Sequence, residues 1–453
     1  MPKKVVILVD NKARDLPGAA LIAHHLEHHF GLTCLLQPLE AWRACLGLKP
    51  AYILFNHLVA SHLARFSTRL RDLGVLVGVL PNEGIYNSRE LLEFNAGKYH
   101  AFAHIDQFFC WNEDHRQALL KIMGLPPERV FVIGVPRFDY YFSPWLEAIQ
   151  PPRPPSSRPR ILVCTNFAFA DFLDRPPLEA EKFFSIMQGR LPSRENYWEL
   201  IKINAAARAK LFAFLEVLVR QTDYFLDLKP HPAEEQRPYL NWYTKLPASV
   251  RARVTLRLKE TIFEVLPLCD LEISCERCTT ALEAWILGKP TIELVFFRHP
   301  VFYDEETARC NRLCAEPEQL PALIAQTLAE PAQEELQPAR RELLAKACHS
   351  PRGDSAFRVA EIIAGAVAAQ PEPAWEKLTW QDYRRTWKLR LKNALNLPYG
   401  STPWKVLWNQ LPGVKPFFVE AKSITPALVQ DWRARLQRVT TLPAPLPAGP
   451  GRP

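Results

Sequence analysis

The sequence predicts an α/β protein of two doubly wound parallel-sheet domains with a cleft between them, followed by a C-terminal helical tail. Three observations carry this. Short, almost continuously apolar runs alternate with amphipathic stretches in two successive blocks, as parallel strands buried on both faces require. A proline-rich connector, "IQPPRPPSSRPR" (149–160), separates the blocks and can sustain neither helix nor sheet. A basic, aromatic segment, 371–453, follows the second block.

The first block, 1–148, offers six strands: "VVILV" (5–9), "CLLQPL" (34–39), "AYILFN" (51–56), "VLVGVLPNE" (75–83), "QFFCWN" (107–112) and "VFVIGV" (130–135). Between them "GAALIAHHLEHHF" and "SHLARFSTRLRDLG" carry apolar residues at helical spacing. The second block, 161–370, offers "ILVCTN" (161–166), "DYFLDLK" (223–229), "VTLRL" (254–258), "DLEIS" (270–274) and "TIELVFF" (291–297), with helices over 203–220 and 280–287. Each block reads as one Rossmann-like unit. The aromatic stretch between Phe167 and Tyr197 is too long for a simple connection and is expected to form a lid over the cleft.

Composition narrows the function. At 453 residues, 48% hydrophobic and 23% charged, the chain has the make-up of an ordinary globular protein of two or three domains. No apolar run reaches the ~18 to 20 residues that span a bilayer. The opening "MPKKVVILVDNKARD" loses its apolar character at Asp10, too early for a signal peptide, so a cytoplasmic protein is expected. Ten cysteines are then read as reduced thiols. Cys275 and Cys278 have C-x-x-C spacing, but Cys310 and Cys314 do not complete a zinc ribbon; buried thiols, with no metal, are the expectation. Between Glu376 and Thr440, 12 Lys and Arg face 4 Asp and Glu, an excess equal to the whole chain's +8. The main body therefore lacks the basic stripe of a nucleic-acid binder. The tail "WEKLTWQDYRRTWKLRLKNALNL" has a composition suited either to peripheral contact with the inner face of an anionic membrane or to packing on the N-terminal domain.

In open parallel sheets, ligands sit beyond the carboxyl ends of the strands. Here those ends carry Asp10, Asn11, Asn56, His57, Asn82, Glu83, Trp111, Asn112, Pro136 and Arg137 in the first block, and Thr165, Asn166, Lys229, His231 and Ser274 in the second. Within "LDLKPHPAEE" (227–236), Lys229 and His231 each precede a proline, which favours extended backbone. Extended residues two apart share a side, so an ammonium and an imidazole stand together. A phosphate site and a rigid surface turn both satisfy this geometry. In "SCERCTTALEAWILGKPTIEL" (274–294), Thr279 or Thr280 begins a helix that Gly288 ends. These threonines serve as caps or help form an anion site. Glu283, one turn in, is either a ribose contact or an ordinary exposed glutamate. There is no P-loop, the only G-x-G is "GPG" in the tail, and no D-x-D occurs. Phosphate must then be met by cations and helix ends, without a metal–carboxylate handle.

The elements "NEG" (82–84), "KPHP" (229–232) and "CTTALEA" (278–284), in that order, resemble the motif pattern of bacterial sialyltransferases and capsule Kdo transferases. The Lys-x-His-Pro element is also similar to that of polyglycerol-phosphate transferases. The opening "ILVDNKARDLPG", with "NHLVASH", "VLPNEG", "FFCWN" and "GVPRFD", resembles surface carbohydrate biosynthesis proteins of bacterial polysaccharide loci, from the first residue to about residue 365.

The resemblance implies a GT-B-like glycosyltransferase of capsule, lipopolysaccharide or related surface polysaccharide synthesis, independent of metal and of any cofactor. A nucleotide-sugar donor, CMP-linked, would be held mainly by the second domain, and the acceptor would be a glycan or lipid-linked glycan. Lys229 and His231 would bind the donor phosphate, with Ser274, Thr279, Thr280 and Glu283 around it. Glu83 would match the acidic catalytic position beside Gly84. The sialyltransferase pattern has two acids before that glycine, whereas this chain has Asn82 and Glu83, so either position could carry the base. A UDP-sugar 2-epimerase and a non-catalytic assembly subunit are the competing readings.

Overall fold

A computed structural model of the chain describes residues 2–82, 85, 88–150, 158–349, 352–397 and 422–440. These residues fall into two compact units, one drawn from Met1–Gly84, Asn95–Ile149 and Cys348–Pro453, the other from Ile85–Phe94 and Gln150–Ala347.

The first unit holds six parallel strands: β1 (Lys4–Val9), β2 (Thr33–Pro38), β3 (Tyr52–Phe55), β4 (Leu76–Val79), β5 (Gln107–Cys110) and β6 (Val130–Val132). Their order is β2-β1-β3-β4-β5-β6. The chain reverses direction across the sheet between β1 and β3, which makes their carboxyl ends the crevice of this unit. The central strands form where expected because they are buried on both faces, as in the fully buried "YILF" of β3. Helix Ser61–Leu73 ends at Gly74, whose φ of 78° favours a residue without a side chain. Helix Glu113–Met123 begins where Asn112 accepts a hydrogen bond from the His115 N–H.

The second unit holds β7 (Arg160–Cys164), β8 (Phe225–Lys229), β9 (Val254–Leu256), β10 (Leu271–Cys275), β11 (Thr291–Leu294) and β12 (Arg312–Cys314). The order β12-β11-β10-β7-β8-β9 is the arrangement of a dinucleotide-binding Rossmann sheet, with its reversal between β7 and β10. All pairings are parallel, with Cys164 opposite Lys229 and Val163 opposite Ile273. The exits of β7, β8 and β10 therefore share one edge. The expected α/β class with two Rossmann-like units holds. β12 escaped the sequence reading because three residues, "RLC", form no apolar run.

The stretch between Phe167 and Tyr197 has its own small core. Phe172, Ala180 and Phe184 pack against Tyr197 and Ile201 at the start of helix Tyr197–Gln221. That helix begins earlier than the expected 203.

One boundary differs from expectation. The sequence pattern extends the second domain to residue 370, yet Cys348 onward groups with the first unit. Helix Ser355–Ala369 is tied there by Asp139, whose buried carboxylate accepts the Ala356 N–H at 2.6 Å. Phe357 stands edge-on to His25, with ring centres 5.5 Å apart. Burial pulls the pKa of His25 to about 3 and of His24 to about 4, so both pack as neutral rings. The tail returns to the same unit. In helix Trp380–Ala394, Thr386 donates to the Ala44 carbonyl at 2.5 Å and Asp382 takes a two-pronged bond from Arg69 at 2.6 and 3.1 Å. Helix Pro426–Thr440 holds Arg433 against Glu27 and the Cys34 carbonyl. Among the described residues no helix is long and apolar enough to cross a membrane.

Candidate functional site

The carboxyl edge of the second sheet is organised by a buried acid, Glu234. Its carboxylate accepts hydrogen bonds from the Thr165 hydroxyl at 2.7 Å, the His231 N–H at 3.0 Å and the Tyr239 hydroxyl. The Phe167 N–H is a further donor, and burial raises its pKa. A carboxylate so shut from water persists because every donor around it is satisfied. The result clamps the exit of β8 to the exit of β7.

The clamp fixes Lys229 and His231. Lys229 ends β8 with its ammonium donating to the Glu260 carbonyl at 2.6 Å, and desolvation lowers its pKa. His231 opens a turn in which its carbonyl accepts the Glu234 N–H at 2.9 Å. Its ring keeps an exposed face, while desolvation by the surrounding protein and the charge of Lys229 pull its pKa to about 4. The imidazole is therefore neutral at pH 7. The Ala233 N–H donates to its Nδ1 at 3.2 Å, which leaves the ring proton on Nε2. His231 is an exposed residue of this turn.

On the other side of the reversal, β10 runs into Glu276 and Arg277, with φ of 54° and 57°. Two successive non-glycine residues in the left-handed region are costly, and such strain gathers at functional sites. It is held in place. The Glu276 carbonyl accepts from Asn166 Nδ2 at 2.9 Å, and its carboxylate accepts from Asn204 at 3.2 Å. Arg194, from the Phe167–Tyr197 stretch, lies over the Phe169 ring at 5.1 Å. Its Nη1 is buried without a hydrogen-bond partner. Desolvation and the nearby charge of Arg277 lower its pKa to about 10. The Glu90 carboxylate acts in the opposite direction on Arg194.

The remaining expected donor residues are placed less openly. Ser274 is buried inside β10. Thr279 precedes helix Thr280–Ile286 but makes no side-chain cap. Thr280 turns its hydroxyl onto the buried Glu272 at 2.7 Å. Glu283 is 3% exposed, so it is not an ordinary surface glutamate. All ten cysteines are free and buried, and burial raises the Cys275 and Cys278 pKa values. Among the described residues no three His, Cys, Asp or Glu side chains stand together as a metal site.

Sequence reasoning did not single out Glu234, Glu276, Arg277 or Arg194. In "SCERCTT" the feature lies in the two residues between the cysteines, not in the cysteine spacing.

The first unit has its own crevice at the β1 and β3 exits. Asn11 Oδ1 accepts the Ala13 and Arg14 N–H groups, and Asp15 binds the Asn11 N–H and Arg14. Lys422 reaches Asp10 at 2.9 Å. Asn56 Oδ1, His57 Nδ1 and Trp111 Nε1 are buried there and at the β5 exit without hydrogen-bond partners, the condition of groups that await a polar ligand or water. Asn82 is half-buried, and its carbonyl accepts from Arg137 at 2.8 Å. Glu83 and Gly84 lie outside the described residues.

No family model and no curated protein sequence matches the chain. Among solved structures it is similar to the wall teichoic acid polymerase TagF, at 13% identity and TM-score 0.49 over 81% of this chain and 90% of that one. It is similar to a protein from Listeria monocytogenes described as a UDP-N-acetylglucosamine 2-epimerase, at 13% identity and TM-score 0.48 over 82% and 99%. It is also similar to Anabaena Alr3699/HepE in complex with UDP-glucose, at 12% identity and TM-score 0.41 over 81% and 99%.

The buried acids make the second unit sensitive to pH. Burial pushes Glu272 and Glu276 up to about 8 and Glu293 to about 7, from an ordinary 4.5. The folded unit thus holds protons that the unfolded chain has released. This stabilisation is complete below about 4.5 and is lost as pH rises through about 8. The thermal midpoint of the second unit should fall across that window. Glu276→Gln should make the fall shallower, and an unchanged slope would contradict the assignment.

Proposed function

We propose that the chain is a GT-B glycosyltransferase that moves a sugar from a nucleotide-activated donor to a surface glycan. The observation that supports it most is the edge of the second sheet. At the reversal of a Rossmann-ordered sheet, the strand exits bring Lys229 and His231 to the same edge as Arg277, with Arg194 close enough to feel the Arg277 charge. Nucleotides bind at such reversals, and these donors suit phosphate oxygens. The donor nucleotide is CMP-linked, by the resemblance of the "KPHP" and "CTTALEA" elements to sialyltransferase and Kdo-transferase motifs. Asn166 and Thr279 complete the polar rim around it.

In the reaction, the acceptor hydroxyl oxygen forms a bond to the anomeric carbon and gives its proton to a base. The bond from that carbon to the phosphate oxygen breaks, and the oxygen leaves with the electron pair. His231 and Lys229 stabilise the leaving phosphate, where negative charge develops. Glu83 is the proposed base, with Asn82 as the neighbouring position of the motif. The proposed scheme is metal-independent, with Lys229 and the neighbouring arginines meeting the phosphate charge.

Two outcomes follow. His231→Ala should weaken CMP or CDP binding by roughly 1.5 to 3 kcal/mol, measured by calorimetry; wild-type affinity would remove His231 from the site. Glu83→Gln should keep nucleotide affinity while turnover falls roughly 10²- to 10⁴-fold. Full turnover in that variant, with loss in Asn82→Ala, would move the base by one residue.

A further inference from the structure

Helix Trp380–Ala394 is docked the wrong way round for a core helix. Its large apolar residues Trp380, Tyr383, Trp387 and Leu391 recur at the spacing of one helical face. That face points outward: Trp380 is 73% exposed, Trp387 65%, and Tyr383 and Leu391 44% each. The opposite face does the packing with small and polar groups. Asp382 binds Arg69 and closes a capping box with Thr379. Leu389 sits on Ala41 and Ala44. Thr386 seats against Gly47, where a Cβ would stand 2.4 Å from its hydroxyl. Rolling the helix to bury its tryptophans would strand Asp382, so the orientation is fixed.

Charge selects the occupant. Arg384 and Lys388 border the apolar stripe on one side and Arg390 on the other, and all three are exposed. Arg385 and Lys392 add to the flanks, while the single acid of the helix, Asp382, is spent on Arg69. We propose that this face docks the protein on an anionic lipid bilayer, the helix lying flat with its tryptophans among the headgroups. Trp and Tyr rings favour that boundary, and flanking Lys and Arg meet acidic lipids. A second copy of the chain is the poorer occupant. A two-fold contact sets each patch against its own image, which brings Arg384, Lys388 and Arg390 toward their like-charged counterparts.

The test is co-sedimentation of the full chain with vesicles. Wild-type protein should bind vesicles of phosphatidylethanolamine with phosphatidylglycerol, weaken with salt, and ignore vesicles of phosphatidylcholine alone. The double variant Trp380→Ser, Trp387→Ser removes exposed rings only, so its thermal midpoint should stay unchanged while the bound fraction drops on the order of tenfold. Arg384→Gln with Lys388→Gln should remove the preference for phosphatidylglycerol. Wild-type protein that fails to bind, or a tryptophan variant that binds as well as wild type, would overturn the proposal. So would a concentration-dependent dimer abolished by the tryptophan variant without any vesicle binding, which would give the face to a second copy.

Discussion

The Glu234 carboxylate is the interaction on which the candidate site depends. It lies beneath the exits of two neighbouring parallel strands and joins them through Thr165, Tyr239 and the His231 backbone. Without it the "KPHP" segment would be a surface turn with two prolines. With it, Lys229 and His231 acquire fixed positions, and desolvation sets His231 neutral with its ring proton on Nε2. The strained Glu276–Arg277 pair across the reversal is held by the same means, through Asn166 and Asn204. Both sides of the edge are thus preorganised by hydrogen-bonded partners behind them.

This division explains how a nucleotide could be held without the usual glycine-rich loop. A P-loop wraps phosphate in backbone N–H groups. Here the donors are side chains mounted on rigid strand ends, and the backbone groups nearby are consumed by the clamp. The buried acids Glu272, Glu276 and Glu293 stand behind that edge, and they are protonated more readily than ordinary carboxylates. That spares the edge a block of negative charge.

Most of the fold was legible because fully buried parallel strands must be written as continuous apolar runs, as "VVILV" and "YILF" are. The rim residues were legible too, since strand ends follow from strand positions. What escaped has a common cause. Nothing local in "PHPAEE" says which glutamate turns inward, and nothing in "CERC" announces left-handed backbone. These are settled by contacts with Thr165, Tyr239, Asn166 and Asn204, distant in sequence. The return of Ser355–Ala369 to the first unit rests on Asp139 and His25, over two hundred residues earlier. Composition could not choose between packing and display for the tail helix. It does both, because its Asp382 and Thr386 face carries the packing.

Hydrogen–deuterium exchange with and without a nucleoside mono- or diphosphate tests the central claim most directly. If the second sheet's edge is the nucleotide site, added nucleotide should slow exchange in 165–169, 229–235 and 275–280. Protection confined to 10–15 and 56–58, or none at saturating nucleotide, would contradict the account.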